Sequence, residues 1–276
     1  MSVLVFGAEG MLGSELMRTL PDAYGTTRRD RSDSARVLPG IDISIDSDLR
    51  RAIYWVHSKT IVNCAGIVKS ECSRHDPEQV VAVNCRAPHA MAKIARTRGA
   101  RFVQVSTDCI FNGRRGGYQE SDPTDAEDLY GQSKAAGEII DRPDCLTIRT
   151  SFIGRDARRR RGLLEWLLSH EGGIVPGFVR ALWSGLSAPE LAGAIALAIE
   201  TPYLSGLYHV SGPTVSKADL LEVLVQELGI QCRVERVDGD PIDRTLDSAR
   251  FIDATGYVSP GWVEMARGLT KELTDA

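Results

Sequence analysis

No Cys-x-x-Cys pair occurs among the six cysteines, Cys64, Cys72, Cys85, Cys109, Cys145 and Cys232. Cysteines this scattered do not make a disulfide framework and are expected to be buried, reduced thiols of a cytoplasmic protein. The five histidines show no ligand spacing, so no metal is assigned. No apolar run reaches the roughly 18 to 20 residues of a membrane-spanning helix. Positive charge is not in excess either: 33 Lys and Arg face 37 Asp and Glu, a net charge of -4, which argues against nucleic acid or a membrane surface as partner. The chain opens directly on an apolar strand, so no leader peptide is expected. There is no internal repeat and no low-complexity tract. What remains is ordinary globular material, 43% hydrophobic and 25% charged, and 276 residues can bury one long core or two closely joined ones.

The stretch that stands out is Tyr130-Gly131-Gln132-Ser133-Lys134. Side chains four residues apart at a helix start share one face. A free phenol, with a pKa of roughly 10, is a poor acid or base at neutral pH. A nearby ammonium favours the phenolate, so Lys134 is expected to lower the pKa of Tyr130 and make proton exchange feasible near neutrality. Far upstream lies the glycine turn Gly7-Ala8-Glu9-Gly10-Met11-Leu12-Gly13, and between the two lie the hydroxyls of Ser106-Thr107. In this order the set resembles the extended short-chain dehydrogenase/reductase family.

Val3-Leu4-Val5-Phe6 is wholly apolar, as a strand buried on both faces should be, and Ser14 to Leu20 continues as a helix ended by Pro21. In that context the glycines let the backbone approach a pyrophosphate, with Met11 and Leu12 at the helix N-terminus. A second strand, about Ala23 to Thr27, ends in Arg28-Arg29. NAD enzymes place an acid there for the ribose 2′-hydroxyl, whereas an arginine pairs with the 2′-phosphate of NADP. NADPH is therefore the expected cofactor and NADH the alternative. Leu49 to Val56 reads as a helix, Thr60 to Cys64 as a strand, Val80 to Arg98 as one long helix, and Phe102 to Val105 as the strand delivering Ser106-Thr107-Asp108. By resemblance, Asp42 and Ile43 flank the adenine, Cys64-Ala65-Gly66 leave room for the dinucleotide, and Asn84 organises the site from behind the nicotinamide. Local satisfaction of Asn84 within its helix is an equal alternative.

Residues 113 to 129, rich in Gly, Asp and Pro, read as an active-site loop, and a helix then runs from Tyr130 to about Ile140. Further strands and helices are expected at 146–149, 163–170, 191–199, 206–210, 217–228 and 233–237, with a turn region at 172–177 and a last helix after Pro260-Gly261-Trp262. Arg158-Arg159-Arg160-Arg161 reads as a solvated loop, with a grip on a diphosphate as the alternative.

Ser106 to Gly113, Ser-Thr-Asp-Cys-Ile-Phe-Asn-Gly, closely resembles a segment of the dTDP-4-dehydrorhamnose reductase group, with Cys109 in place of its usual tyrosine. Trp183 to Ser187, Gly206 to Val210, Asp243 to Leu246 and the late Pro-Gly-Trp match the same group. The resemblance implies a Rossmann-type α/β fold, a doubly wound parallel sheet of order 3-2-1-4-5-6-7. The dinucleotide-binding domain would span 1–154 with returning segments near 184–212, and 155–276 would form mainly a smaller α/β substrate lobe. It further implies reduction of a ketone on a nucleotide-linked sugar: Tyr130 donates the proton, Thr107 hydrogen-bonds the same oxygen, and Lys134 also holds the nicotinamide ribose. Cys109, Trp183 and Arg244 are candidate substrate contacts. Alternatives are an epimerase or dehydratase with tightly held NAD, and a non-catalytic NADP-binding regulatory subunit. Assembly as a homodimer stays open.

Overall fold

The computed structural model describes residues 2–156 and 160–274, and of residues 271–274 the backbone alone. The chain forms two compact units. The first comprises Met1–Asn112, Pro123–Arg149 and Ile195–Tyr208. Its opening strand β1 (Val3–Phe6) is buried on both faces, because the sheet continues on either side and helices cover it. The glycine turn leads into α1 (Met11–Thr19), then β2 (Tyr24–Thr26), a two-residue β3 (Val37–Leu38) and α2 (Asp46–Trp55). Next come β4 (Thr60–Asn63), α3 (Pro77–Val81), α4 (Ala87–Thr97), β5 (Arg101–Val105), α5 (Leu129–Ala136) and β6 (Cys145–Arg149).

The expected long helix over 80–98 starts earlier and is interrupted. Asp76 caps it by accepting from Glu78 N at 2.7 Å, and a π-helical turn at Ala82–Arg86 separates α3 from α4. Such turns gather at functional positions, and this one holds Asn84. The Tyr130 helix is shorter than expected, ending at Gly137 rather than near Ile140.

Beyond β6 the chain supplies β7 (Phe152–Ile153), α6 (Leu163–Leu168), β8 (Ile174–Phe178), β9 (Ala181–Trp183), β10 (Leu186–Ser187) and α7 (Ala188–Glu200). It then returns as β11 (Gly206–His209) to the edge of the first sheet. The sheet order is β3-β2-β1-β4-β5-β6-β11, the doubly wound order expected from the sequence. Leu4 lies opposite Tyr24 on one side and Ile61 on the other, and Ile61 opposite Phe102. Leu4, Phe6, Ile61 and Phe102 share a buried core with Leu49 and Ile53 of α2 and Met91 and Ile94 of α4. Arg101 fixes the return. Its guanidinium donates to the carbonyls of Ala198 (2.9 Å), Thr201 (3.3 Å) and Leu204 (2.6 Å), satisfying orphan acceptors at the end of α7.

The second unit comprises Gly113–Asp122, Thr150–Ala194 and His209–Ala276. It adds β12 (Val215–Ser216), α8 (Lys217–Leu228), β13 (Arg233–Val237), β14 (Ile242–Asp243), α9 (Ala249–Thr255) and α10 (Trp262–Thr274). β7 pairs with β10, and β9 lies between β12 and β14. The turn expected at 172–177 is instead largely strand: β8 runs parallel to β13, Ile174 opposite Arg233 through Phe178 opposite Val237. Pro176 and Gly177 gave the turn signal. β8 pairs on one side only, where a proline's missing N–H is tolerated, and a methyl on Gly177 would meet Val234 at 2.6 Å. The loop 113–122 is tied within this unit, Tyr118 N donating to Thr245 O at 2.9 Å and Asp247 N to Tyr118 O at 2.8 Å.

Candidate active site

β5 ends at Val105, and the next three side chains, Ser106, Thr107 and Asp108, are all buried. Ligands bind at this end of a parallel strand. Thr107 stops the strand by capping a single 3₁₀ turn (Asp108–Ile110): its Oγ1 accepts from Cys109 N at 3.2 Å. The same hydroxyl donates to Asp108 Oδ1 at 3.2 Å and lies beside the Tyr130 phenol.

Tyr130 sits in the first turn of α5, where Asp128 is the N-cap and accepts from Gly131 N at 2.8 Å. Asp128 is itself held by Lys69 Nζ at 2.7 Å. Two glycines let α5 come close. A methyl on Gly131 would collide with the Cys109 carbonyl and Ala126, and one on Gly137 would strike the Asn84 carbonyl.

The phenol does not behave as the sequence suggests. Burial pushes the Tyr130 pKa above its ordinary range, Cys109, Asp108 and Cys72 add to the rise, and the Thr107 hydrogen bond opposes it. Lys134 was expected to lower this pKa. Burial outweighs any such effect, because the lysine is itself enclosed and committed elsewhere, donating to Val105 O at 2.8 Å. Its own pKa is depressed to about 8 by burial, with Glu138 and Cys64 working to raise it. These surroundings favour the protonated phenol.

Behind Lys134 lies a buried ion pair that sequence reasoning missed. Glu138 takes bonds from Arg149 Nε at 2.9 Å and Nη2 at 2.8 Å, and from Ser106 Oγ at 2.6 Å, with the two charged side chains 5% and 4% exposed. Glu138 stands four residues after Lys134, a spacing that could have drawn notice. Ser106, expected near the cofactor, spends its proton on this carboxylate. Asn84 is likewise engaged: it accepts from Ile67 N (2.8 Å) and donates to Ile67 O (2.9 Å) and Ser133 Oγ (3.2 Å). The structure therefore makes Asn84 a clamp between the loop after β4 and α5.

The glycine turn fits a dinucleotide's pyrophosphate. Gly7 has φ +81°, and a Cβ there would lie 3.0 Å from Ala65 N, so the turn after β1 touches the turn after β4. A Cβ on Gly13 would overlap the Gly7 carbonyl, which is why α1 can start so close to the strand. The N-cap is Gly10, with no side-chain cap, leaving the N–H groups of Met11, Leu12 and Gly13 as the donors of the helix start. Cys64 feels the Lys134 charge, and burial pushes its thiol up to about 12. A chain of neighbours thus links the glycine turn through Ala65 and Cys64 to Lys134, and Asn84 spans Gly66's neighbour Ile67 and α5.

Other candidates stand as follows. Arg28 and Arg29 are exposed at the end of β2, and Arg29 Nη1 lies 3.4 Å from Glu9. Asp42 Oδ1 accepts from Ser44 N and Oγ at 2.9 and 2.7 Å, and Ile43 belongs to the hydrophobic core. Cys109 is half-buried. In the second unit Trp183 is buried, donates to Ser151 Oγ at 2.8 Å and packs on Trp262 with ring centroids 5.2 Å apart. Arg244 is half-buried there. Arg158 and Arg159 lie outside the described residues, and Arg155 is paired with Glu165 at 2.8 Å. Among the described residues no three His, Cys, Asp or Glu side chains group as a metal site, and no helix is long and apolar enough to cross a membrane.

A doubly wound sheet with a glycine turn after its first strand and a Thr/Tyr/Lys set at the end of its fifth defines an extended short-chain dehydrogenase/reductase. Residues 1–244 match the family model of the RmlD substrate binding domain, and the chain belongs to that family. It is 29% identical over 246 residues to a probable low-salt glycan biosynthesis reductase of Haloferax volcanii, covering 83% of this chain and 81% of that one. It is 31% identical over 235 residues to a dTDP-4-dehydrorhamnose reductase of Streptomyces griseus, covering 75% and 69%. The crystal structure of a dTDP-4-dehydrorhamnose reductase from Bacillus anthracis in complex with NADP superposes with a TM-score of 0.83 at 22% identity, over 98% of this chain and 99% of that one, a likeness of fold.

Proposed function

We propose that this chain reduces the ketone of a nucleotide-linked sugar, a 4-keto-6-deoxy sugar on a nucleoside diphosphate, using NADPH, with NADH as a weaker substitute. The observation that supports this most is the run of neighbours from the glycine turn through Ala65 and Cys64 to Lys134, with Tyr130 on the same helix α5 and Thr107 just past the end of β5. It puts groups suited to a pyrophosphate and a protonated phenol into one unit.

A dinucleotide with its pyrophosphate at the glycine turn would supply a hydride from its reduced nicotinamide. The α1 N-terminus and the glycines take the pyrophosphate, and Arg28 or Arg29 takes a 2′-phosphate. Tyr130 gives its proton to the oxygen of the ketone as negative charge develops there. Thr107 lies beside the phenol and, by turning its hydroxyl from Asp108, is suited to donate to the same oxygen. Lys134, buried and held by Val105, bonds the nicotinamide ribose and keeps a positive charge near the reacting centre. Cys109, Trp183 and Arg244 are proposed substrate contacts. Trp183 would act through a ring already fixed by Ser151 and Trp262, and Arg244 by pairing with the diphosphate. A cytoplasmic location and a homodimer are part of the same reading.

The test mixes protein and NADPH with a panel of nucleotide-linked 4-keto-6-deoxy sugars and follows loss of the reduced cofactor. Oxidation with one of them supports a reductase. No oxidation with any, alongside tight cofactor binding and a copurifying protein, supports a regulatory subunit instead.

A further inference from the structure

By sequence, the end of β2 holds Thr27, Arg28 and Arg29, with its first acid, Asp30, only after them and exposed. In space an acid is there, delivered from the glycine turn. One carboxylate oxygen of Glu9 accepts from the Thr27 hydroxyl at 2.7 Å, and the other lies 3.4 Å from Arg29 Nη1. Thr27 Oγ1 in turn accepts from the Arg29 backbone N–H at 3.2 Å, so its single proton is directed at Glu9. Thr27 is buried and the Glu9 side chain is 17% exposed, whereas Arg29 is 56% exposed. The carboxylate is therefore built in by a buried hydroxyl, and the guanidinium is the movable partner.

In a dinucleotide fold an acid at the end of the second strand accepts from the ribose 2′-hydroxyl, and a nearby arginine accommodates a 2′-phosphate. This chain has both, held against each other. We propose that Glu9 is the residue that sets the choice of dinucleotide: its carboxylate accepts from the 2′-hydroxyl of NADH, opposes the 2′-phosphate of NADPH, and draws Arg29 away from that phosphate. Arg28 and Arg29 still favour NADPH, and Glu9 limits how far. The inference rests on the reading of the chain as a dinucleotide-dependent reductase and adds to it a specificity residue that lies outside the expected position. It also makes a single charge decisive. A carboxylate about 4 Å from a phosphate opposes it by roughly fivefold even at the dielectric of bulk water and by more at a partly exposed site, so ~10-fold is the low end of the expected change.

The test is equilibrium binding, independent of turnover. NADPH and NADH are titrated separately into the wild-type protein and into Glu9→Gln, and 2′,5′-ADP, which lacks the nicotinamide, is titrated by calorimetry. Thr27→Val, which removes the hydroxyl holding Glu9, provides a second variant should Glu9→Gln fold poorly. Glu9→Gln is expected to raise the preference for NADPH over NADH by ~10-fold and to tighten 2′,5′-ADP, with Thr27→Val moving the same way and Glu9→Asp staying nearer the wild type. If both dinucleotides bind but the preference stays within about twofold in Glu9→Gln and Thr27→Val, the selection role is overturned and the reductase reading stands. If neither dinucleotide binds the wild type, both fall.

Discussion

Lys134 Nζ donates to the backbone carbonyl of Val105 at 2.8 Å, so the lysine of α5 is fastened to the last residue of β5, two positions before Thr107. One bond thereby registers the helix that bears Tyr130 against the strand end that bears Thr107.

Replacing that lysine should damage two things together. Lys134→Met keeps the apolar stem but loses the charge and the bond to Val105. Dinucleotide affinity and turnover should both fall, turnover by ~100-fold, and the two are measured by fluorescence titration and steady-state kinetics. A variant that binds NADPH as tightly as the wild type would remove the ribose contact from the account.

Tyr130→Phe separates the roles. The phenol's assigned work is proton donation, so cofactor affinity should stay nearly unchanged while turnover drops by ~100-fold or more. Near-wild-type turnover would show that another group supplies the proton.

The pH dependence should follow Lys134 and not Tyr130. A lysine is charged below its pKa, and burial has brought this one down to about 8. The Tyr130 phenol is moved the other way, so it stays protonated across the neutral and mildly alkaline range. Accordingly kcat/KM for the reduced dinucleotide, which reports the free enzyme, should be flat near neutrality and fall as pH rises through about 8. A profile flat to well beyond that point would mean that Lys134 keeps its charge.

The close approach of α5 can be tested at Gly131. A methyl there meets the Cys109 carbonyl and Ala126, both difficult to move. Gly131→Ala should lower stability by about 1 to 3 kcal/mol, the range for overpacking, and lower turnover by shifting Tyr130 relative to Thr107. Denaturant unfolding and kinetics on the same sample check it. A variant with wild-type stability and turnover would show that the helix has room to retreat.

The strands β1 and β4 to β6 were legible because they are short buried runs, each followed by a turn or helix signal, and the glycine turn fixes where β1 ends; their order in the sheet came with the family resemblance. β3, with two residues, was too short to show periodicity. β8 was hidden by Pro176 and Gly177, whose usual meaning is a turn and whose meaning here is a one-sided strand. In the site, Thr107, Tyr130 and Lys134 stand out by their order and spacing only together with the family resemblance that these carry. Their electrostatics could not be read in the sequence, since the effect of Lys134 on the phenol depends on burial, and burial is decided by the close packing at Gly131 and Gly137. Glu9 carries no signal of its own within the glycine turn. Its reach to Thr27 joins residues 18 apart, and no local pattern in either segment announces it.

Net hydride transfer to a sugar ketone is measured most directly with NADPH carrying deuterium at the transferred position. Protein, labelled cofactor and a nucleotide-linked 4-keto-6-deoxy sugar are mixed, and the sugar is weighed by mass spectrometry. Reduction predicts a product that carries the deuterium at its new carbinol carbon, with one NADP formed per sugar and the same product formed ~100-fold or more slowly in Tyr130→Phe. A sugar whose configuration or dehydration state changes while the reduced cofactor is left intact would contradict it and point to an epimerase or dehydratase.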